Sequence, residues 1–136
     1  MENYIVKGSK GDFFIPDVKL EFETGRCEIS GESYLENAVT FYTPITEWVT
    51  KFFVEYPNKT LHFIFQLTYF NTSSSKRIIE LLAVLRGFLE EGRSVVAEWR
   101  IEENDSDVYD EVEDFSLVSK MPIKIVEVPY NSLRSA

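Results

Sequence analysis

The chain carries a single cysteine, Cys27, and a single histidine, His62. One cysteine excludes an intramolecular disulfide and a thiolate zinc site. One histidine leaves little for nucleophilic or acid–base chemistry. His62 sits inside the apolar run Leu61–Leu67, which suits a core or sheet-surface residue better than a catalytic one. Cys27 lies on the apolar side of an alternating segment, where it acts as a small hydrophobe, and no spacing brings it to His62. There is no glycine-rich phosphate loop, no H-E-x-x-H and no G-x-S-x-G, so no enzyme, metal or cofactor is expected. Basic residues are also scarce: 14 against 23 acidic ones, for a net charge of −9. That balance argues against nucleic acid and anionic membrane as partners. No apolar stretch approaches the roughly 20 residues of a spanning helix, and no signal-peptide pattern opens the chain. A cytoplasmic protein is expected.

Hydrophobic residues make up 44% of the 136 and aromatics 15%, enough for one real core. The sequence predicts a flexible arm over residues 1–12, one domain over 13–129 and a loose tail over 130–136, with a short edge strand within the arm at Tyr4–Lys7. Val18, Leu20 and Phe22 alternate with charged residues, as do Cys27 and Ile29. Thr24-Gly25 between them signals a turn, so this is a hairpin with one buried face near a sheet edge. The pattern breaks at 31–37. Ala38, Phe41/Tyr42, Ile45, Trp48/Val49, Phe52/Phe53 and Tyr56 then recur every three or four residues, the period of an amphipathic helix. Pro44 either kinks it or marks its regular start, with Thr43 as cap. Leu61–Tyr69 reads as a central strand covered on both faces. A second helix over 72–91, a strand around Val95–Ile101, a third helix around Val108–Phe115 and a strand at 123–128 follow. Strands alternating with helices predict an α/β fold: a mostly parallel core sheet led in by an antiparallel hairpin, with about three helices.

The junction Asn71-Thr72-Ser73-Ser74-Ser75 joins the central strand to the second helix. A hydroxyl there can cap the helix. A phosphate placed on it would meet free N–H groups and the positive end of the helix dipole. Spacing alone leaves both readings open and favours the cap. Lys76, one turn after Thr72, reads first as a solvated charge and second as a phosphate contact. Eight carboxylates lie between Glu102 and Asp114. A calcium loop starting at Asp105 needs glycine at its sixth position, and Asp110 is there. A solvated acidic helix face, available to a partner, is the better reading.

Two motifs carry a family resemblance: Gly31-Glu32-Ser33-Tyr34-Leu35-Glu36-Asn37 and Leu67-Thr68-Tyr69-Phe70-Asn71-Thr72-Ser73-Ser74. With Ile45, Trp48 and Val49 on the first helix, and Arg93 with Trp99, they make the stretch Val18–Val128 resemble the SiaC family of bacterial regulatory phosphoproteins. The resemblance implies a fold like STAS domains and anti-sigma factor antagonists. It implies a non-enzymatic partner-switching protein of biofilm signalling. A serine/threonine kinase would phosphorylate Thr72, a PPM-type phosphatase would reverse this, and the unmodified form would bind a diguanylate cyclase and so bear on cyclic-di-GMP. Asn71, Ser73, Ser74, Tyr34, Glu36 and Asn37 would then form the partner-binding surface. The alternative is a constitutive scaffold in which Thr72 only caps the helix.

Overall fold

The computed structural model describes residues 1–134. Val18 and Leu20 point into the core while Asp17 and Lys19 point out, and the strand they form, β4 (Asp17–Leu20), pairs antiparallel with β5 (Arg26–Ser33). Gly25 closes this hairpin with φ +73°, a conformation that glycine adopts without strain. Ahead of it lie β1 (Tyr4–Val6), which pairs with β4, and a small separate hairpin of β2 (Ser9–Lys10) and β3 (Phe14–Ile15). The rest alternates: α1 (Ala38–Glu55), β6 (Leu61–Phe70), α2 (Thr72–Glu90), β7 (Val95–Glu102), α3 (Ser106–Ser119) and β8 (Ile123–Val128). The six-stranded sheet has the order β1-β4-β5-β6-β7-β8, parallel from β5 onwards. This is the expected α/β fold, with three helices, a mostly parallel core sheet and an antiparallel lead-in.

Because the parallel strands follow one another in chain order, right-handed crossovers place all three helices on one face. Leu61, Phe63, Phe65 and Leu67 of β6 point to that face and join the core with Phe52, Phe53 and Trp99. The expectation that β6 is covered on both sides is therefore corrected. Its other face carries His62, Ile64 and Gln66 and, among the described residues, no helix layer. Ile64 is still fully buried, because its in-register neighbours Glu28 and Glu98 are tied to Arg26 and Arg100 at 2.7 and 2.8 Å. Long paired side chains cover the apolar one there in place of a helix. Cys27 faces the helices and His62 the open face, so the two do not meet.

Two further expectations change. The helix α1 is capped by Asn37 and starts at Ala38, well before Pro44, so Thr43 is not its cap. Thr40, whose carbonyl loses its helical donor at Pro44, is exposed and open to water. The strand β5 does not end at Gly31 but runs to Ser33. Gly31 takes φ +107°, and the register with β6 slips there: Gly31 pairs with Leu67 but Glu32 pairs with Tyr69. Thr68 is the extra residue of this bulge.

Both chain ends are tied down among the described residues. The Trp48 indole donates to the Glu2 carbonyl at 2.8 Å. Near the other end, the buried Glu102 carboxylate accepts the Leu133 N–H at 2.8 Å and pairs with Arg134, which also reaches Asp105 at 3.0 Å. Of the tail expected over 130–136, residues 135–136 lie outside the described residues. No helix among the described residues is long and apolar enough to cross a membrane.

Candidate functional site

The two sequence motifs meet at the C-terminal ends of the adjacent parallel strands β5 and β6. Ligand and partner sites of α/β sheets are commonly built at such strand ends. The bulge at Thr68 explains how. One extra residue inverts the in–out alternation, so Phe70 turns toward Trp99 and Phe115 while Tyr69 turns out. Tyr69 lands 6.3 Å from the exposed ring of Tyr34. Tyr34 is held from the other side by the β2–β3 hairpin. Phe14 and Tyr34 exchange two backbone hydrogen bonds of 2.8 and 3.0 Å, and Phe13 stacks on the Tyr34 ring at 5.5 Å.

Asn71 joins the two motifs. Its backbone N–H donates to the Ser33 carbonyl at 3.0 Å and its Nδ2 to the Leu35 carbonyl at 3.1 Å. Its Oδ1 accepts the Ser74 N–H at 3.1 Å and the Ser73 hydroxyl at 3.3 Å. Asn71 is thus the N-cap of α2. Thr72 is not the cap but the first helical residue. Its side chain is exposed, and its hydroxyl has no hydrogen-bond partner among the described residues. Asn37 and Glu36 are exposed nearby, but the Asn37 carboxamide is already engaged in capping α1, accepting from Thr40 N–H at 3.1 Å. Lys76 is exposed, and Arg77 is paired with Glu80 at 3.1 Å.

Ser74 departs from expectation. It is fully buried, so it offers a partner nothing directly. Its hydroxyl donates to the Ser33 carbonyl at 3.0 Å and accepts from the Ser33 hydroxyl at 2.8 Å. With the Ser33 proton so committed, the contact of 2.8 Å between Ser33 and Tyr42 has Tyr42 as donor. Burial pushes the Tyr42 phenol well above its ordinary range, the Ser33 hydrogen bond offsetting only part, so that donor proton is retained. Tyr42, Ser33 and Ser74 form a satisfied polar floor beneath the junction.

Two open hollows flank the Phe13–Tyr34 stack. One, of about 580 Å³, is lined by Glu32, Tyr34, Thr68, Tyr69 and Arg134. The other, of about 480 Å³, is more apolar, with Phe13, Ile15, Leu35 and Phe41 around Glu36 and Asn37. Phe13, Ile15, Tyr34 and Tyr69 are exposed around these hollows, and clusters of large exposed apolar side chains are common at interaction sites. Sequence reasoning passed over Phe13, Ser33 and the Thr68 bulge. The adjacent aromatics Phe13 and Phe14, in a segment otherwise polar, were the available signal.

His62 Nε2 donates to Glu98 at 3.1 Å on the open sheet face, and Cys27 is buried with its thiol pushed strongly upward, chiefly by burial. No group of three or more potential metal ligands is gathered among the described residues. Asp105 caps α3 rather than opening a calcium loop, accepting the Val108 N–H at 3.2 Å.

The junction thus sets an exposed hydroxyl at a helix start, beside exposed aromatics and open hollows. The sequence pattern of SiaC family regulatory phosphoproteins matches residues 8–128, and the chain belongs to that family. It is 27% identical over 110 residues to an uncharacterized protein of Pseudomonas aeruginosa (strain UCBPP-PA14), covering 81% of this chain and 86% of the relative. Its fold matches SiaC of Pseudomonas aeruginosa with a TM-score of 0.82 at 24% identity, over 94% of this chain and all of that one. It also matches the crystal structure of the diguanylate cyclase SiaD in complex with its activator SiaC, from the same organism. There the TM-score is 0.79 at 25% identity, covering 90% of this chain and 100% of that one.

Proposed function

We propose that this regulatory phosphoprotein is a cytoplasmic partner-switching module whose state is written on Thr72. The observation that carries the reading is the Thr72 hydroxyl itself: exposed, unbonded among the described residues, and at the first position of a helix capped by its neighbour. A serine/threonine kinase can reach it without dismantling the cap, and a PPM-type phosphatase can reach it again afterwards. The added phosphate, of roughly −1.5 to −2 charges, sits at the positive end of the helix dipole, which tolerates it.

In the unmodified state an effector protein docks across Tyr34, Glu36, Tyr69, Asn71 and Ser73. A diguanylate cyclase is the favoured effector, because SiaC of Pseudomonas aeruginosa is the activator of such an enzyme in a crystallised complex. Asn37 and Ser74 serve this surface from behind, by capping α1 and by buttressing the junction. The phosphate acts by altering what the surface binds, not by unfolding it. Incubation with ATP and the cognate kinase, followed by phosphopeptide mapping, tests the assignment. Phosphate is expected on Thr72 and absent from Thr72→Ala. Phosphate elsewhere, or none, returns the chain to a constitutive interaction scaffold.

A further inference from the structure

Apart from Glu102 and Asp105, which hold Arg134 beside Thr68, the acidic stretch makes no hydrogen bond or ion pair to the junction at the ends of β5 and β6 among the described residues. It forms one wall of a second groove. Two hollows of about 140 and 250 Å³ share Tyr109 and Ile125 and run on from each other between α3 and β8, the last strand of the sheet. Val112, Ile123 and Ile125 contribute the apolar lining, with Tyr109 and Glu113 beside them. Leu117, also lining it, is 76% exposed. Of the eight carboxylates between Glu102 and Asp114, Glu102 and Asp105 are paired with Arg134. The other six have no ion-pair partner among the described residues, and no lysine or arginine falls between Arg100 and Lys120. Burial, with Asp107, Asp114 and Asp105 nearby, pushes the Glu111 carboxyl up, as expected where negative charges crowd.

We propose that this groove is a second docking surface, and that its occupant is an amphipathic helix of another protein with an apolar stripe flanked by lysine or arginine. Charge decides against a second copy of this chain. A two-fold contact on this face would set the same unpaired carboxylates against each other. Strand addition fits poorly too, since Lys124 lies within β8 and Pro122 and Pro129 close it at either end, devices that blunt an edge. A helix laid in the groove covers Leu117 and Ile125 with its apolar face and offers cations to Glu113 and Asp110. The proposal is independent of Thr72.

The test titrates the full chain with a synthetic helix of about 18 residues, long enough to match α3, with leucines on one face and lysines flanking them. One control peptide replaces the leucines by glutamine at equal charge. Amide shift changes are expected at Tyr109, Leu117 and Ile125. The glutamine control is expected to bind at least about tenfold more weakly. Leu117→Asp is expected to weaken the leucine peptide about tenfold although it adds attractive charge. Glu113→Lys is expected to flatten the salt dependence. Equal binding of the two peptides, indifference to Leu117→Asp, shift changes centred on Tyr34 instead, or no binding would each overturn the proposal. None of these outcomes bears on whether Thr72 is phosphorylated.

Discussion

Ser33 and Ser74, 41 positions apart in the chain, share a buried hydrogen bond of 2.8 Å directly under the exposed junction. Tyr42 completes the chain of donors from the helix α1. Because every member is buried, removing one leaves another unpaired. Ser33→Ala strands the Tyr42 phenol and is expected to destabilise by about 1–3 kcal/mol. Ser74→Ala is expected to cost a similar amount, with the double variant costing less than the sum. Urea denaturation of the four proteins measures this. Simple additivity would mean the network is not cooperative.

Asn71 caps the helix α2, and Thr72, its first residue, is the proposed phosphoacceptor. Asn71→Ala removes the cap and the link to Leu35, and is expected to lower stability by about 1–2 kcal/mol. Thr72→Ala removes a side chain without a partner among the described residues, and is expected to change stability by no more than about 0.5 kcal/mol. Thermal or urea unfolding of both variants decides between them. If Thr72→Ala were the costlier, Thr72 would be the cap after all.

Phosphorylation is expected to leave the fold intact. A phosphate at the first position of α2 lies near the free N–H groups of the first turn, a placement worth about 0.3–1 kcal/mol in favour. The phosphorylated protein is expected to unfold at or above the temperature of the unmodified one. Affinity for a docked effector is expected to fall by about 30-fold to several-thousand-fold, the equivalent of 2–5 kcal/mol for an imperfectly paired charge in an interface. Calorimetric titration of wild type, Thr72→Ala and the phosphorylated form measures it. Thr72→Ala should bind like unmodified wild type.

Two carboxylates are expected to respond to pH in opposite senses. Burial favours the neutral form of Glu98, but hydrogen bonds from Arg100 and His62 outweigh it and hold the carboxyl below its usual value. With the folded value depressed, its contribution is present above the unfolded carboxylate range and lost as pH falls through the folded value. Glu98→Gln should therefore be less stable than wild type at pH 7, with the gap closing in acid. Glu111 is raised by burial and by Asp107, Asp114 and Asp105. Its favourable contribution exists below the unfolded value and is lost as pH rises through the folded one. Glu111→Gln should be at least as stable as wild type at pH 7, that advantage vanishing in acid. Denaturation at several values between about pH 3 and pH 7 checks both.

Much of this architecture is written in local pattern. The β4–β5 hairpin, the two long helices and the α2 junction all follow from alternation, three-to-four spacing and turn residues. The layering of the sheet does not. Ile64 is apolar, but the face it occupies is lined by ion pairs whose partners come from neighbouring strands. The inversion at Thr68 is nearly as silent, because a bulge is a relation between two strands, and Gly31 within β5 is its one local mark. The same holds for Ser74. A serine three residues past a cap reads as exposed until a second serine from β5 arrives beneath it. The motif Asn71–Ser74 was legible as a helix start, but the division of labour within it was not. Asn71 wins the cap over Thr72 because its carboxamide can serve Ser74 and Leu35 together.

The double attachment of Asn71 also bears on how any modifying enzyme must read Thr72. Because Asn71 is held between a helix start and the Ser33–Leu35 backbone, Thr72 beside it cannot be drawn out as an extended strand without breaking both anchorages. An enzyme acting there has to recognise a three-dimensional relief assembled from distant parts of the chain, not a linear consensus. A free peptide spanning Leu67–Arg77 would present every matching letter and is expected to be a poorer substrate than the folded chain.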